Sequence, residues 1–477
     1  MNFAIVRYLI GWMLGIESIF LLLPALTAVI YGEPELPAYL IAAAISLAGA
    51  ALLCHRKPKN TRFYAREGYV TVALCWLILA VIGALPFVLS REIPFFIDAL
   101  FETVSGFTTT GATILGDVEA LSHASMLWRC LTHWVGGMGV LVFMLIVLPL
   151  AGGQTIFLMR AESPGPSVSK MSPRMRDTAT ILYAIYFGLT VLQMILLLIG
   201  GMPFFDAICV SLGTAGTGGF GNWNDSIAHY NSAYLQNVIT VFMILFGINF
   251  SAYFLILTRK FRQAFRIEEI RVYLGVIFVF AGLIAFNVRP MFGSLRESFH
   301  HALFQVASII TTTGFSTVDF DQWPTFSRAL LVLLMFIGAC AGSTGGGIKC
   351  SRILLLGKSV KKELMCLIHP RLVRVNKMDG QRVPHEVMRS INVFVVAYAF
   401  IFILSLLIIS LNCEDLVTCF TSVATTLNNV GPGLSLCGPT CNFGFFPPLS
   451  KCVLIFDMLA GRLELFPMLL LFTPGTR

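Results

Sequence analysis

Charge is scarce in this sequence. Asp, Glu, Lys and Arg make up 12% of the 477 residues, whereas apolar residues make up 57%. Soluble domains usually carry about 25% charged residues, roughly twice this share. The low charge excludes a large soluble domain, and without one the chain has no soluble basic face for binding nucleic acid. The composition predicts an all-α integral membrane protein whose main partner is the lipid bilayer.

Motifs for enzyme chemistry and nucleotide binding are also missing. No cluster of His, Asp and Glu, or of Ser and Lys, stands out at membrane depth, which disfavours an intramembrane enzyme. The run GSTGGGIK from Gly342 departs from the Walker pattern, because Ile348 separates Gly347 from Lys349 and no Ser or Thr follows. We expect neither an enzyme nor a nucleotide cofactor in this chain.

The twelve cysteines say little about the fold, because most lie in or beside apolar runs and behave as small hydrophobes. Cys413, Cys437 and Cys441 fall on the predicted outer side. A Cys437–Cys441 disulfide is one alternative, but free thiols are favoured.

Ten apolar runs are long enough to cross a bilayer core of ~30 Å, which needs roughly 20 residues. The first has no signal-peptide cleavage site and is too long for an h-region, so we expect it to be retained. The runs cover residues 5–31, 37–54, 69–90, 125–150, 178–201, 233–258, 270–288, 327–357, 391–411 and 447–472.

Most of the 33 basic residues lie in the linkers after the second, fourth, sixth and eighth runs. The positive-inside rule makes these linkers cytoplasmic and places both termini inside. The formal net charge of +8 therefore reflects membrane topology. The stretch ESPGPSVSK from Glu162 is expected to be a flexible cytoplasmic linker. The basic linker from Lys358 to Arg389 has two open roles, contact with anionic lipid or with a regulatory subunit.

A short glycine-centred segment recurs on the outer side about every 100 residues, each time between two apolar runs. The segments are TTTGAT from Thr108, GTGGFG from Gly216, TTTGFS from Thr311 and NNVGPG from Asn428. The first and third also share Ala-Leu-Phe and a Ser at identical spacing upstream. Four copies in register between membrane spans predict a fourfold internal repeat.

The chemistry of these segments suits a cation pore. Rings of backbone carbonyls can replace the water shell of an ion, and glycine permits the positive φ that aligns successive carbonyls. A preceding short helix, such as 96–107, would aim its negative end at the ion. The predicted ion-binding residues are Thr109, Thr110, Gly111, Thr217, Gly218, Gly219, Thr312, Thr313, Gly314, Asn429, Val430 and Gly431.

Acidic residues follow the segments and would concentrate cations at the mouth, although solvated outer loops are an equally good interpretation of each one. They are Asp117, Glu119, Asp225, Asp319 and Asp321.

A second glycine-rich stretch interrupts the eighth apolar run. Five of the ten residues from Gly338 to Gly347 are glycine, and each costs about 1 kcal/mol relative to Ala in a helix. A broken helix that lines a cavity is therefore favoured, with close helix packing as the alternative. Other polar residues in apolar runs, His133, Asn249 and Tyr253, are expected to be helix-packing contacts.

These segments, together with GSTGGGIK from Gly342 and GRLELF from Gly461, resemble the TrkH/KtrB/HKT superfamily of potassium transport proteins, and its TrkH-type members most closely. The resemblance implies four repeats of membrane helix, pore helix, filter loop and membrane helix around one central pore, plus two N-terminal helices. The implied divisions are 1–66 for the extra helices and 67–160, 161–262, 263–362 and 363–477 for the four repeats, with an intramembrane gating loop at 338–348.

The resemblance also implies a function. It predicts potassium uptake across a bacterial-type inner membrane through a gated, channel-like pore, with potassium bound at the filter residues. The implied partners are a second copy of the chain and a cytosolic TrkA-like regulatory subunit, which would carry the nucleotide (ATP/ADP or NAD). Glycine at all four filter positions favours potassium over sodium, whereas the extra glycines of the second segment argue against strict selectivity.

Arg462 lies in the last apolar run, where a central Arg costs ~2.5–3.5 kcal/mol on insertion scales. The family places the matching Arg in the pore beneath the filter, next to the gating loop. We therefore expect Arg462 to set an electrostatic barrier to ions and to help hold the loop closed. The alternative is a buried structural ion pair, for example with Glu464 or Asp457 of a neighbouring turn or subunit. The complete predicted gating set is Gly342, Ser343, Thr344, Gly345, Gly346, Gly347, Lys349 and Arg462.

Two alternatives to a selective pore stay open. A sodium- or proton-coupled symporter on the same scaffold would need an intramembrane carboxylate, for which Glu464 is the only candidate. A less selective pore for monovalent cations is the other.

Overall fold

The computed structural model describes residues 2–58, 65–147, 175–369 and 375–472. Across these ranges the chain is mostly helical, with connecting loops and one two-stranded hairpin, which confirms an all-α membrane protein. The stretch ESPGPSVSK and the predicted division at 160/161 lie outside the described residues.

The helices begin with the N-terminal pair and the first two repeats: α1 Phe3–Tyr31, α2 Leu36–Cys54, α3 Ala65–Ser90, α4 Phe96–Phe107, α5 His123–Val147, α6 Met175–Ile199, α7 Phe204–Gly216, α8 Ala233–Phe246, α9 Phe250–Leu257 and α10 Phe261–Ala264. The second half contains α11 Glu268–Val288, α12 Leu295–Ile310, α13 Thr325–Ile337, α14 Cys350–Ile368, β1 Lys377–Met378, β2 Gln381–Arg382, α15 His385–Ser410, α16 Leu416–Leu427, α17 Pro448–Arg462 and α18 Phe466–Leu471.

Helices α1 and α2 form a closely packed hairpin in front of the first repeat. A Cβ atom on Gly11 would lie 2.9 Å from the Cβ of Leu53, and the Ser46 hydroxyl donates to the Leu14 carbonyl at 2.8 Å. Small residues let the two backbones approach, as is common between membrane helices.

Four short helices, α4, α7, α12 and α16, each end at one glycine-centred segment. They have 12 to 16 residues, too few to cross a bilayer. Helix α4 covers the residues expected for the first pore helix. Side-chain caps start two of them: Ser294 accepts from the Glu297 amide at 3.1 Å, and Asp415 accepts from the Thr418 amide at 3.0 Å.

The second membrane helix of three repeats is broken. Helices α8 and α9 meet at 93°, α13 and α14 are separated by the loop 338–349, and α17 and α18 by residues 463–465. The sequence predicted only the second of these breaks, so the prediction that 233–258 and 447–472 are continuous spans is wrong. Six described helices are long and apolar enough to span a membrane, and the bent pair makes a seventh.

The two missed breaks have different causes, a close contact with another helix at the first and a backbone turn at the second. Gly247 packs so closely on the Tyr273 hydroxyl that a side chain has no room, and Asn249 then starts a new helix by accepting from the Ser251 amide at 2.8 Å. At the other break Glu464 and Leu465 adopt φ of 56° and 68°, left-handed values that end an α-helix.

Candidate functional site: a four-segment ring and the loop beneath it

The four glycine-centred segments share one backbone conformation. The central glycines have φ of 80°, 81°, 85° and 97°, and the residue two positions earlier has φ between 55° and 59° in each case. These earlier residues are Thr109, Thr217, Thr312 and Asn429. In each segment two residues with positive φ are separated by one with the usual negative φ. This alternation turns the chain out of the pore helix in the same way four times.

The same hydrogen bond holds each segment to its pore helix. The residue before the glycine donates its amide to the carbonyl five positions earlier, at 2.8–2.9 Å, in Thr110→Ser105, Gly218→Gly213, Thr313→Ser308 and Val430→Thr425. The repeat seen in the letters of the sequence is therefore a repeat in hydrogen bonding as well, including the divergent fourth segment.

The segments form a closed ring in chain order. A Cβ atom built on each central glycine would lie within 2.6 Å of the carbonyl oxygen of the next segment, in the order Gly111 to Gly218, Gly219 to Thr313, Gly314 to Val430 and Gly431 to Thr110. Real Cβ atoms essentially never approach so closely. Glycine is needed here for its φ and because the neighbouring carbonyl occupies the space of a side chain.

The threonine and asparagine side chains of the ring bind one another. Thr110 Oγ1 lies 2.8 Å from Thr108 Oγ1 and accepts from Asn429 Nδ2 at 3.0 Å, which joins the first and fourth segments. Thr313 makes the equivalent bond with Thr311 at 2.8 Å. Thr109 Oγ1 is buried and has no hydrogen-bond partner among the described residues. Most ring hydroxyls thus brace the backbone.

An outer cavity of about 130 Å³ opens above the ring and is lined by all four central glycines. Among the acidic residues beyond it, Asp117 joins the first outer loop to the second. It accepts from Asn224 Nδ2 at 2.7 Å, and this bond holds the pKa of Asp117 below its usual value. Asp321 lies 3.4 Å from Arg328. These carboxylates have a structural use in addition to any effect on cations.

The loop from Gly338 to Lys349 lies directly against the inner side of the ring. The Gly346 amide donates to Thr312 Oγ1 at 2.6 Å, and the Gly347 amide donates to the Asn428 carbonyl at 3.0 Å. Gly346 has no room for a side chain, since a Cβ would lie 2.5 Å from the same carbonyl. The structure thus brings the predicted gating residues together with the third and fourth segments.

Arg462 joins this loop to the first repeat. Its Nη1 donates to the Thr344 carbonyl and its Nη2 to the Gly136 carbonyl, both at 2.8 Å. The carboxylates considered as its partners bind elsewhere: Glu464 pairs with Arg352, and Asp457 accepts from the Ser405 hydroxyl at 2.7 Å. Arg462 therefore links the loop to α5 through two backbone carbonyls.

Lys349 and Glu269 support the loop from its two sides. Lys349 has φ of 82°, and its ammonium donates to the Gly345 carbonyl. Glu269 is 3% exposed, and its Oε1 accepts from the amides of Ala341 at 2.7 Å and Ser351 at 3.0 Å. Glu269 was not predicted from the sequence, although it directly precedes the apolar run 270–288, and a buried carboxylate beside a membrane span signals a specific role.

The three polar residues predicted as packing contacts have defined structural partners. His133 Nδ1 lies 2.8 Å from the Gly106 carbonyl and its Nε2 accepts from the Phe220 amide at 3.1 Å, so it supports the second segment from behind. Asn249 caps α9, and the Tyr253 hydroxyl donates to the Leu245 carbonyl at 2.6 Å. All twelve cysteines, including Cys437 and Cys441, are free thiols in this structure.

The fold and the ring define a class: a multi-pass membrane transport protein with four pseudo-repeats around one axis. The profile of the family described as "TrkH: Cation transport protein" matches residues 37–475. The chain therefore belongs to the TrkH family of cation transport proteins, and it is a transport protein rather than an enzyme.

Relatives of known name resemble the chain over its whole length. The Trk system potassium uptake protein TrkH of Salmonella typhimurium is 38% identical over 481 residues, 99% of each chain. The Trk system potassium uptake protein TrkG of Escherichia coli K12 is 33% identical, over 98% of this chain and 97% of the relative. The crystal structure of the potassium transporter TrkH from Vibrio parahaemolyticus superposes with a TM-score of 0.89 at 33% identity and covers all of both chains.

Proposed function

We propose that the chain takes up potassium through a pore whose selectivity filter is the four-segment ring. The observation that carries the proposal is the closed ring of the four segments. Each central glycine packs against a backbone carbonyl of the next segment, that of the residue directly before the next central glycine. A ring of backbone carbonyls supplies the oxygen ligands of a dehydrated cation. The similar proteins of Salmonella and Vibrio carry potassium in their names.

The loop 338–349 acts as the gate in this proposal. It occupies the inner face of the ring and is fixed there by the Gly346, Gly347 and Arg462 hydrogen bonds. Opening requires these bonds to break, which makes the loop a two-state element that a partner can bias. Ions then pass down their electrochemical gradient.

The biological setting is part of the proposal. It comprises a homodimer in a bacterial-type inner membrane, with both termini cytoplasmic and a TrkA-like nucleotide-binding subunit on the cytoplasmic side. The distribution of Lys and Arg supports the orientation. The names of the relatives, which speak of a Trk system, support a separate regulatory component.

A coupled symporter is the second candidate, and one observation favours it. Asp457 is fully buried in α17, and its Oδ2 has no hydrogen-bond partner among the described residues. Carboxyl groups at membrane depth often carry protons in transporters. Glu464, the carboxylate considered from the sequence, is paired with Arg352 and is the weaker candidate.

Radiotracer rubidium uptake into liposomes that hold the purified chain, driven by an outward potassium gradient, tests both candidates. The pore predicts uptake that excess external potassium blocks and that sodium and proton gradients leave unchanged. A requirement for either gradient would establish the symporter. Equal competition by sodium, lithium and potassium would instead indicate a less selective pore. If the chain alone is silent, adding the cytosolic subunit must restore uptake, or the potassium pore is refuted.

A further inference from the structure

A buried ion pair lies behind the first segment of the ring. Glu102 lies on the pore helix α4 and Arg129 on the following membrane helix α5. The guanidinium Nε lies 2.8 Å from the carboxylate Oε1. The side chain of Glu102 is 0% exposed and that of Arg129 is 2% exposed. Burying both charges is costly, so the site must use them for more than general packing.

The carboxylate of Glu102 holds the chain where it leaves the first segment. It accepts from the Thr113 hydroxyl and from the Ile114 amide, each at 3.0 Å. Thr113 lies two residues after the central glycine, Gly111. The backbone carbonyl of Thr113 also accepts from the Phe443 amide at 2.8 Å, so this short stretch is fixed from two sides.

The guanidinium of Arg129 holds the second segment. It lies 4.1 Å from the ring centroid of Phe220, the residue directly after the central glycine Gly219. Arg129 also lines the outer cavity above the ring. Its charge would oppose an approaching cation if Glu102 did not neutralise it.

The other neighbouring segments are joined differently. The Ser316 carbonyl, just beyond the third segment, accepts from the amides of Ile227 at 3.1 Å and Ala228 at 3.2 Å. Between the first and fourth repeats, Lys451 binds Asp98 at 2.6 Å, at the beginning of the pore helix. Among the ion pairs of the described residues, only Glu102 and Arg129 contact the stretches that follow two neighbouring filter glycines. These stretches begin after Gly111 and after Gly219.

We infer that Glu102 and Arg129 are a positioning pair for ion discrimination, which sets the separation of the first two filter segments and keeps the outer mouth neutral. The inference rests on the proposed potassium pore. It assigns to these residues control over which monovalent cation passes. A merely structural ion pair would change the yield of folded protein without changing the ratio of permeant ions.

The test measures the ratio of rubidium to sodium uptake in liposomes for the full chain and three variants: Glu102→Gln, Arg129→Gln and the double variant. We expect each single variant to lower the ratio about tenfold, since removing one partner leaves the other charge buried and uncompensated beside the segments. The double variant removes both charges and should recover part of the ratio. Unchanged ratios in both single variants, with normal reconstitution, would overturn the inference.

Thr113→Val covers the case in which the charge variants fail to fold. It removes the hydroxyl that donates to Glu102 and keeps the ion pair and the side-chain shape, and we expect a smaller fall of the ratio. An unchanged ratio here would also refute the inference. Glu363→Gln is the matched charge control, because Glu363 is exposed and its partner is Lys362. Failure of the proposed pore is distinguishable, because the unaltered chain would then show no potassium-sensitive rubidium uptake.

Discussion

The four repeats are alike in their outer halves and differ from one another in their inner halves. On the outer side the four segments have the same φ pattern and the same amide-to-carbonyl bond, although their sequences range from TTTG to NNVG. On the inner side α5 is continuous to the end of its described residues, whereas the other three second helices break in three different ways. The proposed coordination of one ion would require equivalent ligands from all sides, which accounts for the similarity of the outer half.

The inner half needs no such equivalence. One loop from the third repeat is enough to cover the ring, and the other repeats supply its holders: Arg462 from the fourth, Gly136 from the first, and the Gly247 carbonyl of the second, which accepts from the Cys340 amide at 3.1 Å. Divergence of the repeats on the inner side is therefore what lets a pseudo-symmetric ring hold one asymmetric loop.

The largest change in rubidium uptake should come from placing a side chain on one of the four central glycines. In Gly219→Ala the new Cβ meets the Thr313 carbonyl at a left-handed φ. Overpacking costs about 1–3 kcal/mol and the backbone about 1–2 kcal/mol, so we expect rubidium uptake to fall about 100-fold.

The matched control is Gly188→Ala, because that glycine has open space around its Cβ position. Equal losses of uptake in the two variants would contradict the close packing of the ring.

The next effect should come from releasing the inner loop. Arg462→Ala removes two hydrogen bonds from a charged donor, each worth about 1.5–3 kcal/mol. We expect uptake by the chain alone to rise about tenfold or more as the loop leaves the ring. Arg389→Ala, at an exposed position, serves as the control. Unchanged flux at normal protein levels would show that Arg462 does not hold the gate.

Variants of Glu269 test whether its hydrogen bonds to the Ala341 and Ser351 amides stabilise the loop. Glu269→Ala leaves the Ala341 and Ser351 amides without their acceptor, and each unsatisfied buried donor costs about 1–3 kcal/mol. Glu269→Gln keeps one oxygen in place and should lose much less. Thermal unfolding in detergent measures the difference, and equal melting temperatures for the two variants would disprove this role.

The smallest effect concerns the outer cap of the fourth pore helix. A hydrogen bond from Thr418 lowers the pKa of Asp415 from 3.8 to about 2, so the contribution of the carboxylate is complete above pH 4 and is lost between pH 4 and pH 2. Asp415→Ala should cost about 0.5 kcal/mol at neutral pH, the low end for an N-cap at an accessible position.

Hydrogen exchange of the Val417 and Thr418 amides gives the measurement. Their protection should fall in the variant at pH 7, and the difference from the unaltered chain should shrink as the pH falls towards 2. A difference that persists at low pH would show that the carboxylate charge does not contribute.

Much of this architecture was predictable from the sequence. The first pore helix occupies 96–107 as expected, and the break at Gly338 follows from five glycines within ten residues. The breaks after Phe246 and Arg462 were not predictable, because Gly247 and Leu465 lie in apolar runs that look continuous. The first break is caused by the Tyr273 hydroxyl from another helix, and the second by a left-handed backbone turn at Glu464 and Leu465. Neither cause is visible in the amino-acid composition of the run.

The sequence by itself determined the membrane class, the fourfold repeat and the positions of the four central glycines, because hydrophobic length, charge distribution and local backbone freedom are properties of short segments. Only the tertiary structure decided that the segments close in chain order, that Arg462 binds two carbonyls, and that Glu102 meets Arg129 behind the ring. These contacts join residues far apart in the chain, and the packing of whole helices fixes which buried polar groups must satisfy one another.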